Sequence, residues 1–353
     1  MPLTELRKIL KNKNEAVIIV SEVNRLCFSE FHATDGYLVI TYDDAVLFAD
    51  SRYIEAAQKS VKNCRAVLFK NDREEIKDYL KNKHIVKAYT ERKNISVDMA
   101  DYLKTAFIPR RVTPSKKLEK IIENVRKVKT DEQVEKIKKA QAIAEDAFNH
   151  ILTFIKPGVT EKQIALELDF YMLSHGAEAL SFETIAVTGK KTSMPHGVPD
   201  DTKVERGDFV TMDFGAVYDG YHSDMTRTVA VGDVSEEQRK IYDIVLRAQK
   251  ASLKILKEGL PCNEADDAAR DIITDEGYGE YFGHSTGHGV GVEIHEAPTL
   301  AKNKTPLQKG NVVTVEPGIY IPGKFGVRIE DMALITENGC ENLTSCPKEL
   351  IIL

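Results

Sequence analysis

Five residues able to hold a metal occur in order across the last 141 positions of this 353-residue chain: Asp213, Asp224, His288, Glu316 and Glu330. Four carboxylates and one imidazole, with no thiolate, describe a site for a hard or borderline divalent cation. That many oxygens able to bridge suits two ions better than one. Such ions acidify a bound water and polarise a carbonyl, so metal-assisted hydrolysis is the leading reading.

Each of the five sits in a local context that would aim it. The stretch FVTMDFGAVYDGYHSDMTRTVAV reads as a hairpin turning at Asp219-Gly220. Counting outward, Tyr218 pairs with Tyr221, Asp213 faces Thr226, and Asp224 faces Gly215, which leaves room opposite it. Asp213 and Asp224 then lie diagonally on one face, roughly 7–8 Å apart at the backbone, within reach of common ions. Phe209, Met212 and Met225 argue against a solvent-facing pair of aspartates. In GHSTGHGVGVEIHEAP, glycines 283, 287, 289 and 291 permit unusual backbone and close approach. His284, His288 and His295 compete there for the ligand role, and spacing does not choose among them. Glu316 ends the apolar run 312–315, and Glu330 follows GVRI; a carboxylate buried in such a run needs a cation, an arginine or a proton. Arg328, two residues before Glu330 on the same strand face, makes a salt bridge the alternative. Asp331 should point the other way, as a structural residue. A further histidine, His196, lies in the Pro/Gly loop MPHGVPD.

The elements that position these residues form two domains by length. A hydrophobic share of 42% and a charged share of 29% suit a soluble globular protein, and a net charge of −6 disfavours nucleic acid as a partner. No apolar run approaches a membrane span or a signal peptide, and five cysteines without a CxxC pair point to a reducing, cytoplasmic setting. The first part alternates strand-like runs (17–20, 37–41, 45–48, 66–69, 85–89) with helical stretches near 2–12, 52–61, 73–81 and 97–106. The segment 108–129, with Pro109, Pro114 and a charged run, is the expected boundary, and a short helix within it is compatible with that. Four helices follow in two pairs, opened by Thr130 with Gln133, Thr160 with Gln163, Ser235 with Gln238, and Asn263. Their joints, IKPGVTEKQI and LKEGLPCNEA, are alike in length and turn chemistry, which suggests a duplicated helix–helix–strand half.

At PHGVPD, MDFGAVYDGYHSDMTRT, GHGVGVEIHEAP, VEPGIY and GVRIEDM the chain resembles the pita-bread metallopeptidases, in their proline-specific branch of Xaa-Pro aminopeptidases and Xaa-Pro dipeptidases (prolidases). The resemblance covers the whole chain. It implies an α/β (α+β) protein: a creatinase-like amino-terminal domain over 1–125, then a pseudo-two-fold pita-bread catalytic domain over 126–353. It makes Asp213, Asp224, His288, Glu316 and Glu330 the ligands of two divalent ions, with Asp224 and Glu330 bridging, Asp213 on one ion, and His288 and Glu316 on the other. It gives His196 and His295 the holding of substrate and of the tetrahedral intermediate, and Arg328 the orienting of the glutamate. The implied cofactor is Mn(II), with Co(II), Fe(II) or Zn(II) also suited to the oxygen-rich set. The implied reaction is attack by a metal-bridging hydroxide on the bond before a proline at the second position, with Glu316 moving the proton. The implied assembly is a homodimer.

A metal-free creatinase activity conflicts with the five ligands. A methionine aminopeptidase-like activity conflicts with the type of amino-terminal domain. A non-catalytic binding scaffold would have lost ligands. Between aminopeptidase and prolidase no motif decides; the absence of an insertion able to close the site favours the aminopeptidase, with the dipeptide-restricted prolidase as alternative.

Overall fold

Five apolar runs and a sixth, proline-ended strand build the first sheet. In the computed structural model, which describes residues 2–70, 74–107 and 111–353, the chain divides into two units, Met1–Arg126 and Lys127–Leu353. The sheet of the first unit has the order Arg65–Leu68, Ala45–Ala49, Tyr37–Ile40, Glu15–Ile19, Lys87–Thr90, Arg111–Pro114. Its central strands are buried throughout, as a sheet covered on both faces requires. Ile18, Val39 and Phe48 meet Ile76, Leu80 and Leu103 of the helices to form its core.

Two expectations for this unit change. The first helix spans only Pro2–Arg7, because the next backbone bonds (Lys8 to Glu5, Ile9 to Leu6, Leu10 to Arg7) close three residues back and tighten the turn. A helix at Glu22–Ser29, capped by the Ser21 hydroxyl accepting from Asn24 N, was not anticipated. Within the segment 108–129, Arg111–Pro114 is a sheet strand and Lys116–Lys127 a helix, and the two units divide inside it, after Arg126. Pro114 fits because it ends an edge strand, where a missing N–H costs nothing. Ile108 and Pro109 lie outside the described residues.

The second unit is two like halves. Helices Asp131–Phe154 and Glu161–Ser174 form the first pair, Glu236–Ile255 and Cys262–Asp275 the second. Three begin with full capping boxes at Thr130, Thr160 and Ser235. The fourth does not start at Asn263: its cap is Pro261, the position matching Thr160 when the two joints are aligned. The likeness extends to the backbone bonds. Gly158 N donates to Val204 O and Val204 N to Val159 O; Gly259 N donates to Leu307 O and Leu307 N to Leu260 O. Bridges Thr160–Lys203 and Pro261–Pro306 complete the correspondence.

Each half then contributes an antiparallel strand pair: Phe209–Phe214 with Met225–Ala230, and Val312–Val315 with Asp331–Ile335. The first follows the expected register, with Thr226 opposite Asp213 and Tyr218 opposite Tyr221 across a turn where Asp219 (φ 47°) and Gly220 (φ 74°) are both left-handed. Gly215 is needed for a reason other than room for Asp224. A Cβ there would lie 2.0 Å from the Ser223 carbonyl oxygen, so the strands can cross closely only over glycine. Gly215→Ala is therefore expected to destabilise the protein by about 3 kcal/mol, the upper range for overpacking, because backbone and not a side chain must move. Urea unfolding measures this, and a cost below about 1 kcal/mol would refute it.

Among the described residues, no helix is long and apolar enough to cross a membrane.

Candidate functional site

The two strand pairs deliver four carboxylates to one place. Asp213 lies near the end of one strand; Glu316 follows the end of its counterpart. Asp224 and Glu330 each immediately precede the partner strand. Glu330 N donates to Thr226 O at 3.1 Å, joining the halves.

His288 enters on the short strand Gly287–Gly289, whose glycine Gly287 lies against Thr314: a Cβ there would be 1.9 Å from the Thr314 carbonyl oxygen. Its Nδ1 lies 3.1 Å from Gly289 O, which makes Nδ1–H the donor and leaves the Nε2 lone pair facing Asp224 Oδ2 (3.5 Å) and Glu316 Oε1 (3.4 Å). Of the three competing histidines, His288 is thus the one set among carboxylates. Ligand atoms of Asp224, His288 and Glu330 all lie within 4.8 Å of one another.

Arg328 does not bridge Glu330. Its strand ends at Arg328, so strand alternation does not carry across to Glu330, and its Nη2 instead donates to Asp213 Oδ2 at 2.7 Å. Arg328 Nε donates to Thr226 Oγ1 (3.0 Å), whose hydroxyl donates to Glu330 Oε2 (2.7 Å). Arg328 Nη1 donates to the Tyr320 hydroxyl (2.9 Å) and to Pro195 O (3.3 Å), within the loop that carries His196. Asp331 faces away, as expected, and pairs with Arg227.

Thr226 and Tyr320 were invisible as site residues. The first reads as an alternating strand position, the second as part of the apolar run GIYI. His284 belongs with Tyr320. Its Nδ1 lies 2.8 Å from Ser285 O and its Nε2 3.0 Å from the Tyr320 hydroxyl. Burial lowers its pKa to about 4, so it is neutral and accepts from Tyr320. The His295 ring meets that of His288 edge-on at 4.4 Å and remains exposed; burial, then His288, lower its pKa. His196 is exposed, and it lies near enough to contribute to the lowered pKa of both His284 and His295.

The electrostatics call for cations. Burial, and then the charges of Asp213 and Glu316, push the Asp224 carboxyl well above the usual range. Burial and then Asp224 do the same to Glu330, and burial raises Glu316. One arginine faces four carboxylates. Asp213 Oδ1 and Glu330 Oε1 are buried with no hydrogen-bond partner, an expensive condition unless something else binds them. A hard divalent ion suits orphaned carboxylate oxygens beside an imidazole lone pair, so the residues fit the metal that the sequence suggested.

Residues 135–337 match the family described as "Metallopeptidase family M24", and residues 2–128 match "Creatinase/Prolidase N-terminal domain". The chain superposes on the structure of an Xaa-Pro dipeptidase from Bacillus anthracis with a TM-score of 0.94 at 43% identity, covering 100% of this chain and 99% of that one. It superposes on an X-Pro aminopeptidase from Thermotoga maritima with a TM-score of 0.92 at 35% identity, covering 99% of both. It is 40% identical to an Xaa-Pro dipeptidase of Pyrococcus furiosus over 98% of this chain and 99% of that one.

Proposed function

The chain belongs to metallopeptidase family M24 and is a metallo-exopeptidase, and from that premise we propose that it hydrolyses the peptide bond before proline, with Xaa-Pro dipeptides as substrate. The observation that carries the reading is the opposed carboxylate pairs of the two halves, with buried orphan oxygens on Asp213 and Glu330 and the His288 lone pair among them. Full-length likeness to two proteins named Xaa-Pro dipeptidase supports the dipeptide. Aminopeptidase action on longer Xaa-Pro peptides, which the sequence favoured, is the second reading; the likeness to the Thermotoga maritima enzyme supports it.

Asp213, Asp224, His288, Glu316 and Glu330 would hold two divalent ions. Manganese suits this oxygen-rich set. When bound, the ions supply Lewis acidity and a water acidified toward neutral pH.

The chain's own residues do the rest. Glu316 accepts a proton from the attacking water and passes it to the departing prolyl nitrogen. His295, whose pKa is lowered, donates a ring N–H to the developing oxyanion. His196, exposed on its loop, holds substrate. Arg328 fixes the free rotation of Asp213 and, through Thr226, that of Glu330. Catalysis is assigned wholly to the second unit, and to the amino-terminal unit no chemistry, only the parts in dimerisation and in closing the pocket against long substrates that the resemblance implies.

Product analysis with manganese tests the substrate class. An Xaa-Pro dipeptide is expected to be cleaved, and a matched Xaa-Pro-Yaa tripeptide and a longer peptide to be cleaved at least about tenfold more slowly, a difference of some 1.4 kcal/mol in transition-state binding. Equal or faster cleavage of the longer peptides would make the protein an aminopeptidase. No metal-dependent cleavage of any of them would overturn the proline reading.

A further inference from the structure

A charged pair is buried at the back of the turn that presents His295. Lys129 Nζ lies 3.1 Å from Glu296 Oε2, and the two side chains are 1% and 3% exposed. Burying an ammonium and a carboxylate is costly, and apolar residues of like volume would serve stability as well or better. The pair must therefore be explained by what it holds.

Glu296 directly follows His295. Its other oxygen, Oε1, accepts from Glu293 N at 3.1 Å, and Gly291 N donates to Glu293 O at 3.1 Å. The Glu296 carboxylate thus lies across the turn 291–296 and closes it. It lies so close over Gly291 that a Cβ there would be 2.6 Å from Oε2. Lys129 is itself fixed at the backbone, where its N–H donates to Gly310 O at 2.8 Å just before the Thr130 cap. Among the described residues, no hydrogen bond holds the His295 ring, whose nearest aromatic neighbour is His288 at 4.4 Å. Its place is set by the turn, which Glu296 closes from within while His222 N donates to Gly291 O at 2.9 Å at its start.

We propose that Lys129 is a positioning residue for the reaction: through Glu296 it locks the turn 291–296 and so fixes His295 against His288. The inference rests on the reading of His295 as the group that meets the oxyanion. Lys129 touches no substrate; it acts by denying Glu296 any other orientation.

The test uses the full-length, manganese-loaded protein and an Xaa-Pro dipeptide, comparing the wild type with Lys129→Met, Glu296→Gln, His295→Ala and the double variant Lys129→Met/His295→Ala. Misplacing a reacting group by about 1 Å costs up to about 100-fold. Lys129→Met is accordingly expected to lower kcat by roughly 10- to 100-fold, with KM and calorimetric manganese affinity little changed. In the His295→Ala background the same substitution should lower kcat no further. Glu296→Gln, which keeps an acceptor for Glu293 N but loses the charge, should behave likewise, and it carries the test if Lys129→Met does not fold. Equal losses of kcat in both backgrounds, or a loss of manganese affinity in place of kcat, would make the pair a structural support and overturn the proposal. An unaffected kcat in Lys129→Met beside an impaired His295→Ala would overturn it alone. A wild type without metal-dependent cleavage would overturn the functional reading, and the proposal with it.

Discussion

Asp224→Asn is expected to abolish metal-dependent cleavage by about 1000-fold or more while making the metal-free protein more stable. The first half follows from the ligand set: removing one carboxylate from the group that includes His288 and Glu330 weakens a Lewis acid that contributes several kcal/mol to the transition state. Each 1.36 kcal/mol is a factor of ten. The second half follows from burial and repulsion, which raise the proton affinity of Asp224 and Glu330 in the folded protein. A carboxyl whose folded pKa lies above its unfolded one contributes stability that is complete below the unfolded value and is lost as pH rises through the folded one. The chelated wild type should therefore lose thermal stability as pH rises from about 5 to 8, an interval above the ordinary carboxyl range. Manganese should add more stability at the upper end, since ligands bind metal deprotonated. In Asp224→Asn the chelated protein should show a shallower fall with pH and a smaller response to manganese. Calorimetric melting with and without chelator reads both effects. A chelated wild type whose melting point rises with pH across that interval would sink the account.

Much of this site could be read from the sequence because short-range rules govern it. The two-residue turn at Asp219-Gly220 sets the hairpin register, and the register decides which residues stand opposite Asp213. The three capping boxes are likewise local events. What failed was reasoning that assumed an element continues. The alternative of a salt bridge from Arg328 to Glu330 two positions on assumes a strand that continues, but the strand stops at Arg328 and the guanidinium turns to Asp213. Asn263 was chosen as a helix cap on side-chain propensity, although the duplicated joint already pointed to Pro261. Tyr320, Thr226 and the Lys129–Glu296 pair could not be found at all, because their partners are distant in sequence and carry no periodic signal.

The largest effect on folding is expected from Arg227→Met. Arg227 is 1% exposed and uses all its donors: Nε to Pro347 O, Nη1 to Thr226 O and Glu330 O, Nη2 to Asp331 Oδ1 and Cys346 O. It thereby ties the Met225–Ala230 strand, the Glu330–Asp331 segment and the late segment at Cys346 and Pro347 to one another. Methionine fills much of the volume but leaves Asp331 Oδ1 and four carbonyls without this donor. Breaking a buried ion pair by removing one partner costs about 3–5 kcal/mol. Asp331 Oδ2 keeps Gln249 and Asn342 at 3.0 Å each and also Lys348, so its charge is not wholly abandoned and the cost stays in that range. Arg227→Lys should recover less than half of the loss, since an ammonium keeps the charge but cannot reproduce the planar fork. Adding Asp331→Asn to Arg227→Met should recover part of it by removing the charge left behind. Because the guanidinium also grips the carbonyls of Thr226 and Glu330, manganese affinity should fall by about 10- to 100-fold, as for other groups that orient metal ligands. Urea unfolding of the chelated protein and calorimetric titration with manganese measure the two effects separately. A stability loss below about 1 kcal/mol, the scale of an ordinary substitution, would mean that Arg227 is not the tie described here.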